Sequence, residues 1–431
     1  MMVMGIFLFV LLLALLILLF FKQLWSRRHL PPSSLALPLI GTLWADGFSL
    51  HKDYFQKHVK RYGNIYTMWA GSHLVVVLSG FKAVKEGMTG FSDAFSDRPD
   101  DPFLSPSGKG IILSNGLTWK QQRHFGITSL RKMGLGKKNF DHRIEDAAQT
   151  LVEIFRQTKG QPFDPSNSVL NVVSNIICHL SFGRQFDAED DNFQKFIQSL
   201  EIVLHFSGNV FHVSRNDPNS TYNEENLAQY IFDIFFAGTE TTLAILMWAL
   251  LLLTNHPTIQ EKVKKEIEDV FGFSGSISYQ DQKKLPYTNA VIHEMQRLKY
   301  ALLVGVPRQS TRDVKMRGYH IPKGSIVIAD LRSVLLDPEQ WETPEEFNPN
   351  HFLDKDGKFL DREEFLPFGI GQRSCVGEQL GRIEIFVFLT SLLRAFSFRL
   401  PEGVKELNEE PIARMSMHPH PYKLCAIPTQ V

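Results

Sequence analysis

The chain has 431 residues with 46 basic and 46 acidic side chains, and 44% of it is hydrophobic. That is enough to bury a large core and too apolar for a disordered tail. A formal charge of zero offers no global field to hold a polyanion, which argues against DNA or RNA as a partner. Three cysteines, Cys178, Cys375 and Cys425, are too few and too scattered for a disulfide framework or a four-cysteine zinc site, so a reducing compartment is expected.

Met1 to Phe21 is a run of 21 residues without a charge, and as a helix it would be about 31 Å long, enough to span a bilayer. A cleaved signal peptide is the competing reading. The run is longer than a usual signal core, lacks a basic start and meets no small-x-small cleavage site, so an uncleaved anchor over 1–21 is expected. Lys22, Arg27 and Arg28 follow it, which by the positive-inside rule leaves the rest on the cytosolic side. The sequon Asn219-Ser220-Thr221 is then a bystander. Residues 22–38 form a basic, proline-rich linker with Pro31, Pro32 and Pro38, and 39–431 reads as one domain without repeats.

Most of that domain reads as helix. The pattern Thr221-x-x-Glu224 opens a run to Thr254, closed by Asn255 and Pro257. From Ile231 to Leu253 it is apolar on every face, which predicts burial on all sides. Asp233, Gly238, Glu240, Thr241 and Thr242 lie inside this run. Buried polar groups cost several kcal/mol unless paired, so these invite a functional reading. Two central carboxylates speak against a second membrane span. Pro286 to Lys299 reads as a helix with Glu294 and Arg297 on one face. Between Tyr319 and Leu335, Gly, Pro and β-branched residues predict short strands.

The segment Phe368-Gly369-Ile370-Gly371-Gln372-Arg373-Ser374-Cys375-Val376-Gly377 precedes an apolar helical period over Glu378–Leu393. Backbone N–H groups and the helix dipole at such a start stabilise a thiolate, the form that ligates iron. Glycines would let the chain approach a flat macrocycle closely. For a cysteine taken alone, a buried structural role is the simpler reading.

The spacing changes that balance. Phe368, Gly371, Arg373, Cys375 and Gly377 fill F-x-x-G-x-R-x-C-x-G, which resembles the haem-binding loop of the cytochromes P-450. Glu294-Met295-Gln296-Arg297 resembles that family's E-x-x-R helix. Pro344, Phe347, Pro349 and Phe352 resemble its meander, with His351 in place of the usual arginine. Ala237-Gly238-Thr239-Glu240-Thr241-Thr242 resembles the oxygen-activating kink, and Trp119-x-x-x-Arg123 resembles a propionate-binding pair. The linker and His418-Pro419-His420-Pro421-Tyr422-Lys423-Leu424-Cys425 resemble the microsomal vertebrate class, especially its second family.

The resemblance implies a mainly α fold with small β-sheets, a haem-thiolate domain behind a single N-terminal transmembrane helix. It implies haem b with Cys375 as the axial thiolate and metal ligand. Trp119, Arg123, Arg308 and Arg373 would hold the propionates, with Arg98 a weaker candidate, because arginine forks match carboxylates. Phe368 would pack beside the sulfur, with Gly371 and Gly377 shaping the loop. Glu294 and Arg297 would be a structural pair. The implied reaction is monooxygenation with O₂ as co-substrate, hydroxylation or epoxidation, in which Glu240 and Thr241 deliver protons. His418 and His420, alternating with proline, read as solvent-facing.

No nicotinamide motif is present, so the resemblance implies that NADPH acts through a partner reductase, with cytochrome b5 as an optional donor, at the endoplasmic reticulum membrane. Arg131, Lys132, Lys137 and Lys138 could form the basic docking patch. Ile112, Leu113, Phe236, Ala237, Leu302 and Val306 would line a pocket for a lipophilic substrate such as a fatty acid, steroid or xenobiotic; unsaturated fatty acids are the first expectation. One departure stands out. Only 51 residues separate Phe186 from Ala237, which leaves about sixty residues missing near 213–214, where relatives hold helices that a loop cannot replace cheaply. A second expectation is therefore a non-catalytic or misfolded variant that competes for reductase or associates with the complete enzyme.

Overall fold

The structure is a computed structural model. It describes residues 28–37, 40–42, 52–71, 73–99, 108–135, 138–186, 224–272, 277–413 and 416–429, together with Phe7, Leu11, Ala14, Leu15, Leu18, Asp190, Phe193 and Lys195. Most of the expected anchor, the junction near 213–214 and the Asn219 sequon lie outside the described residues.

The main elements in chain order are α1 (Lys52–Tyr62), β1 (Ile65–Ala70), β2 (His73–Ser79), α2 (Gly116–Lys132), α3 (Lys138–Gln157), α4 (Ser166–Phe182), α5 (Glu224–Asn255), α6 (Pro257–Phe271), α7 (Pro286–Leu298), β3 (Arg308–Gln309), β4 (Ile326–Asp330), α8 (Glu378–Ala395) and β5 (Met417–Pro419). The fold is mainly α with small sheets. The chain divides into two compact units, one of Met1–Pro99, Val304–Val334 and Ile370–Arg373, the other of Asp100–Leu303, Leu335–Gly369 and Ser374–Val431.

In the first unit a four-stranded sheet has the order β1-β2-β4-β3. β1 and β2 form a hairpin, Ile65 opposite Leu78, while β2 pairs in parallel with β4, Val75 beside Ile326. Val75 to Leu78 are buried in succession, as expected of a strand covered on both faces. Ser79 Oγ donates to Asp330 Oδ2 at 3.1 Å, fixing the ends of that parallel pair.

The second unit is helical and packed around α5. Leu243 to Leu253 are all buried, which matches the all-round apolar pattern. α5 is the one described helix long and apolar enough to cross a membrane, and 78% of its most apolar stretch is buried within the protein. The buried faces of α3, α4 and α8 join it in one apolar cluster. Its first half is less enclosed. Leu227 is exposed, and Ile231, Phe232, Ile234 and Phe236 are half-buried.

Candidate functional site

In the second unit, Cys375 stands just before α8, whose cap is Gly377. The Cys375 N–H donates to Phe368 O at 3.0 Å, closing the loop as a turn. The backbone N–H groups of Gly377 and Glu378 bond to the sulfur. Of the three cysteines, Cys375 alone is exposed. Atoms crowd its sides, and this desolvation pushes the thiol up, with Glu378 adding to it, while the two N–H groups and Arg123 oppose it.

The sulfur opens on a cleft of about 330 Å³ lined by Arg123, Ile127, Leu130, Arg131, Arg382 and neighbours. Arg123 Nη1 donates to Ser374 O at 2.9 Å. Trp119 lies one turn earlier on α2 and is buried. Arg382 sits 5.0 Å from the Phe368 ring centre and pairs with Glu378 at 3.0 Å. Arg131 and Lys132 are exposed in the last turn of α2. Lys137 and the side chain of Lys138 lie outside the described residues.

In the first unit three buried arginines lie on three linked segments. Arg98 Nη1 donates to Val306 O and Pro307 O at 2.7 and 2.8 Å. Arg308 Nη2 donates to Ile370 O at 3.0 Å, and Arg373 Nε donates to Ser96 O at 2.7 Å. Each segment thus donates to the next in a closed cycle. Gly371 has φ +83°, and a Cβ there would meet Met88 O at 2.0 Å. The loop needs glycine at this point because of a close approach within the protein.

Glu294 and Arg297 face each other on α7, with Arg297 Nε and Nη2 donating to Glu294 at 2.7 and 2.8 Å. His351 Nδ1 lies 3.1 Å from Glu294 Oε1, so the histidine occupies the third position of the network.

On α5, Asp233 Oδ2 accepts the N–H groups of Ile111 and Ile112 at 2.7 and 2.9 Å. Burial pushes its carboxyl up despite these bonds. The contact holds Ile112 to the Asp233 turn of α5, and Phe236 and Ala237 follow Asp233 by about one turn on that helix; Leu113 is next to Ile112 in the chain. Leu302 follows Ala301, whose carbonyl accepts from Met417 N at 2.9 Å. Val306 belongs to the first unit and is exposed. Gly238 lets α4 approach, since a Cβ there would come within 2.6 Å of Ile177 Cδ1. Thr241 Oγ1 donates to Ala237 O at 2.7 Å, and a hydroxyl that donates can still accept a hydrogen bond.

The sequence reading of His418 requires correction. His420 is exposed, but His418 is buried, with Nε2 at 2.6 Å from Glu240 Oε1. Ser416 Oγ donates to the same oxygen at 2.5 Å. Alternation with proline misled because residues 416 and 418 of an extended segment point to one side, and here that side is inward.

An iron–macrocycle cofactor fits this donor set. Among the described residues no three His, Cys, Asp or Glu side chains gather as a metal cage. A single accessible thiol with two N–H groups on its sulfur suits an iron whose remaining ligands would come from a macrocycle.

The family model described as Cytochrome P450 matches residues 31–215 and 209–426, in two stretches that meet at 209–215. Cytochrome P450 2J5 of Mus musculus is 36% identical over 485 aligned residues, covering 97% of this chain and 96% of the relative. Cytochrome P450 2J2 of Homo sapiens is 36% identical, covering 93% and 92%, and cytochrome P450 2D28 of Mesocricetus auratus is 34% identical, covering 94% of each. In the first alignment 97% of 431 residues is about 418, so about 67 of the 485 aligned positions fall opposite a gap in this chain.

Proposed function

We propose a function on one premise: this chain belongs to the cytochrome P450 family. It is a haem monooxygenase of the family's second vertebrate class. The finer reading is that it inserts one oxygen atom into a lipophilic substrate at the endoplasmic reticulum membrane, with electrons from NADPH through a reductase.

Haem, when bound, supplies the activation of O₂ and the one-atom insertion. Cys375 would hold its iron, and the Gly377 and Glu378 N–H groups would favour the thiolate against the desolvation that opposes it. Trp119 and Arg123, beside Cys375 in the second unit, would hold its carboxylates. Glu240 and Thr241 would hold and pass protons toward the reacting oxygen. Ile112, Leu113, Phe236, Ala237 and Leu302 would exclude water and bind an apolar chain or ring, and unsaturated fatty acids are the first class to test. Val306, being exposed, supports this role less. Arg131 and Lys132 would receive an acidic partner face, the reductase or cytochrome b5.

The observation that carries this reading is the accessible Cys375 sulfur with two backbone N–H groups bonded to it. Its test is the carbon-monoxide difference spectrum of the reduced protein in membranes. A strongly red-shifted Soret band lost in Cys375→Ser supports it. A band that survives the substitution overturns it.

The gap of about 67 positions favours a second reading. The two matched stretches overlap at 209–215, which supports a missing segment near 213–214. A chain lacking it could bind haem weakly, turn nothing over and compete for reductase. Absence of the Soret band from the wild-type chain, with the band present once the missing segment is restored, supports this second reading.

A further inference from the structure

Glu240 is buried at the middle of α5 and meets two side chains from the C-terminal segment. Ser416 Oγ and His418 Nε2 approach Oε1 at 2.5 and 2.6 Å. Both contacts fall on one carboxylate oxygen. A carboxylate held by two donors at a single oxygen cannot rotate about its last bond without breaking both, so the direction of Oε2 is set by them. Against an ionised Glu240, Nε2 carries the imidazole hydrogen.

The register of these donors is fixed independently. Trp248 Nε1 on α5 donates to Met417 O at 2.8 Å, and Met417 N donates to Ala301 O at 2.9 Å. Met417 is therefore gripped through its backbone on both sides, and Ser416 and His418 flank it on the opposite face of the extended segment. Tyr422 OH donates to Met247 O at 2.6 Å and ties the following turn to the same helix. All of these groups lie within the second unit.

We infer that Ser416 and His418 are positioning residues for Glu240, fixing which oxygen of its carboxyl is presented for proton delivery. The inference rests on the proton-passing role given to Glu240 above. Without the two donors, the carboxyl would remain buried with its charge less compensated. It would either take up a proton permanently or turn away, and in both cases proton delivery would lag behind electron delivery.

The test uses the 431-residue chain in membranes with reductase and an unsaturated fatty acid, and compares Glu240→Gln, Ser416→Ala, His418→Phe and His418→Gln. The expected result is that His418→Phe lowers product formed per NADPH oxidised about tenfold and raises peroxide release, while the thiolate Soret band is unchanged. His418→Gln, which keeps a donor near the same place, should recover most of the loss, and a merely structural role for His418 would not predict that rescue.

Two readouts need no turnover. The infrared carboxyl band that Glu240→Gln removes should shift in His418→Phe, and the melting-temperature losses of Glu240→Gln and His418→Phe should be clearly less than additive in the double variant. If Glu240→Gln leaves product per NADPH unchanged, the role given to Glu240 fails. If Glu240→Gln uncouples the reaction but His418→Phe leaves coupling unchanged, the inference alone is overturned. In a chain without turnover, an unmoved carboxyl band and additive melting losses overturn it.

Discussion

Arg297 spends every direction of its guanidinium within the fold. Two bonds go to Glu294, at 2.7 and 2.8 Å, and the others go to the carbonyls of Leu335, Pro344 and Glu346 at 2.7 to 3.0 Å. Glu294 in turn accepts Asn348 N at 2.8 Å and meets His351. Both side chains are fully buried. The pair ties α7 to the meander around Pro344–Phe352 through groups that water cannot replace.

Removing one partner leaves a buried charge uncompensated, a loss of about 3–5 kcal/mol. Arg297→Ala and Glu294→Ala should therefore yield little protease-resistant protein. Arg297→Lys should be nearly as damaging, because an ammonium cannot reach three carbonyls and a carboxylate in one plane. Limited proteolysis of membranes containing each variant checks this; a resistant Arg297→Lys protein would remove the planar-fork argument.

Glu384 on α8 should make stability fall as pH rises. Its carboxyl is buried and Thr242 Oγ1 donates to Oε2 at 3.0 Å; burial pushes it up to about 8, against which the Thr242 bond acts only partly. The folded chain keeps this proton until about pH 8, whereas the unfolded chain releases it near the ordinary carboxyl value of 4.5. The group's contribution is fully present below 4.5 and lost as pH rises through 8. Between those limits the slope approaches about 1.4 kcal/mol per pH unit. Melting temperatures across that window should fall in the wild type and flatten in Glu384→Gln.

Gly371→Ala and Gly238→Ala should differ in severity although both add one methyl. At Gly371 the new Cβ meets a backbone carbonyl, Met88 O, at 2.0 Å and φ is +83°, so neither neighbour nor backbone can yield cheaply. At Gly238 the obstacle is the tip of Ile177, and alanine favours the helix by about 1 kcal/mol, which offsets part of the clash. Thermal unfolding should show a large loss for Gly371→Ala and a small one for Gly238→Ala, the latter relieved by Ile177→Val.

Local signals made the helices legible. The capping pattern and closing proline gave Glu224–Thr254 against the observed Glu224–Asn255, and the apolar period after Cys375 gave Glu378–Leu393 against Glu378–Ala395. Pairing across long separations was not legible. Nothing in the sequence near Ser79 announces that β2 runs parallel to β4 some 250 residues later. His418 was misread for the same reason. Apart from Met417 its neighbours are polar or proline, and what turns it inward is the Trp248 indole, 169 positions before Met417, which captures the Met417 carbonyl. The motif residues were identified by type and spacing, while the partners of Glu240 could be found only from the packing of the C-terminal segment on α5.

That dependence makes Trp248 a remote control on the Glu240 contacts. Its side chain is fully buried, its Nε1 donates to Met417 O at 2.8 Å, and Lys299 Nζ lies 4.8 Å from its ring centre. Trp248→Phe removes the donor and leaves a buried carbonyl short of a partner, a loss of about 1–3 kcal/mol before any cavity is counted. Trp248→Leu would remove the same donor and also the ring that Lys299 faces. If the indole sets the register of β5, Trp248→Phe should loosen the Ser416–His418 segment specifically, so that proteolysis or hydrogen exchange at 416–418 increases more than in the β1–β2 hairpin of the first unit. Equal changes at both places would mean that the indole contributes bulk packing rather than register.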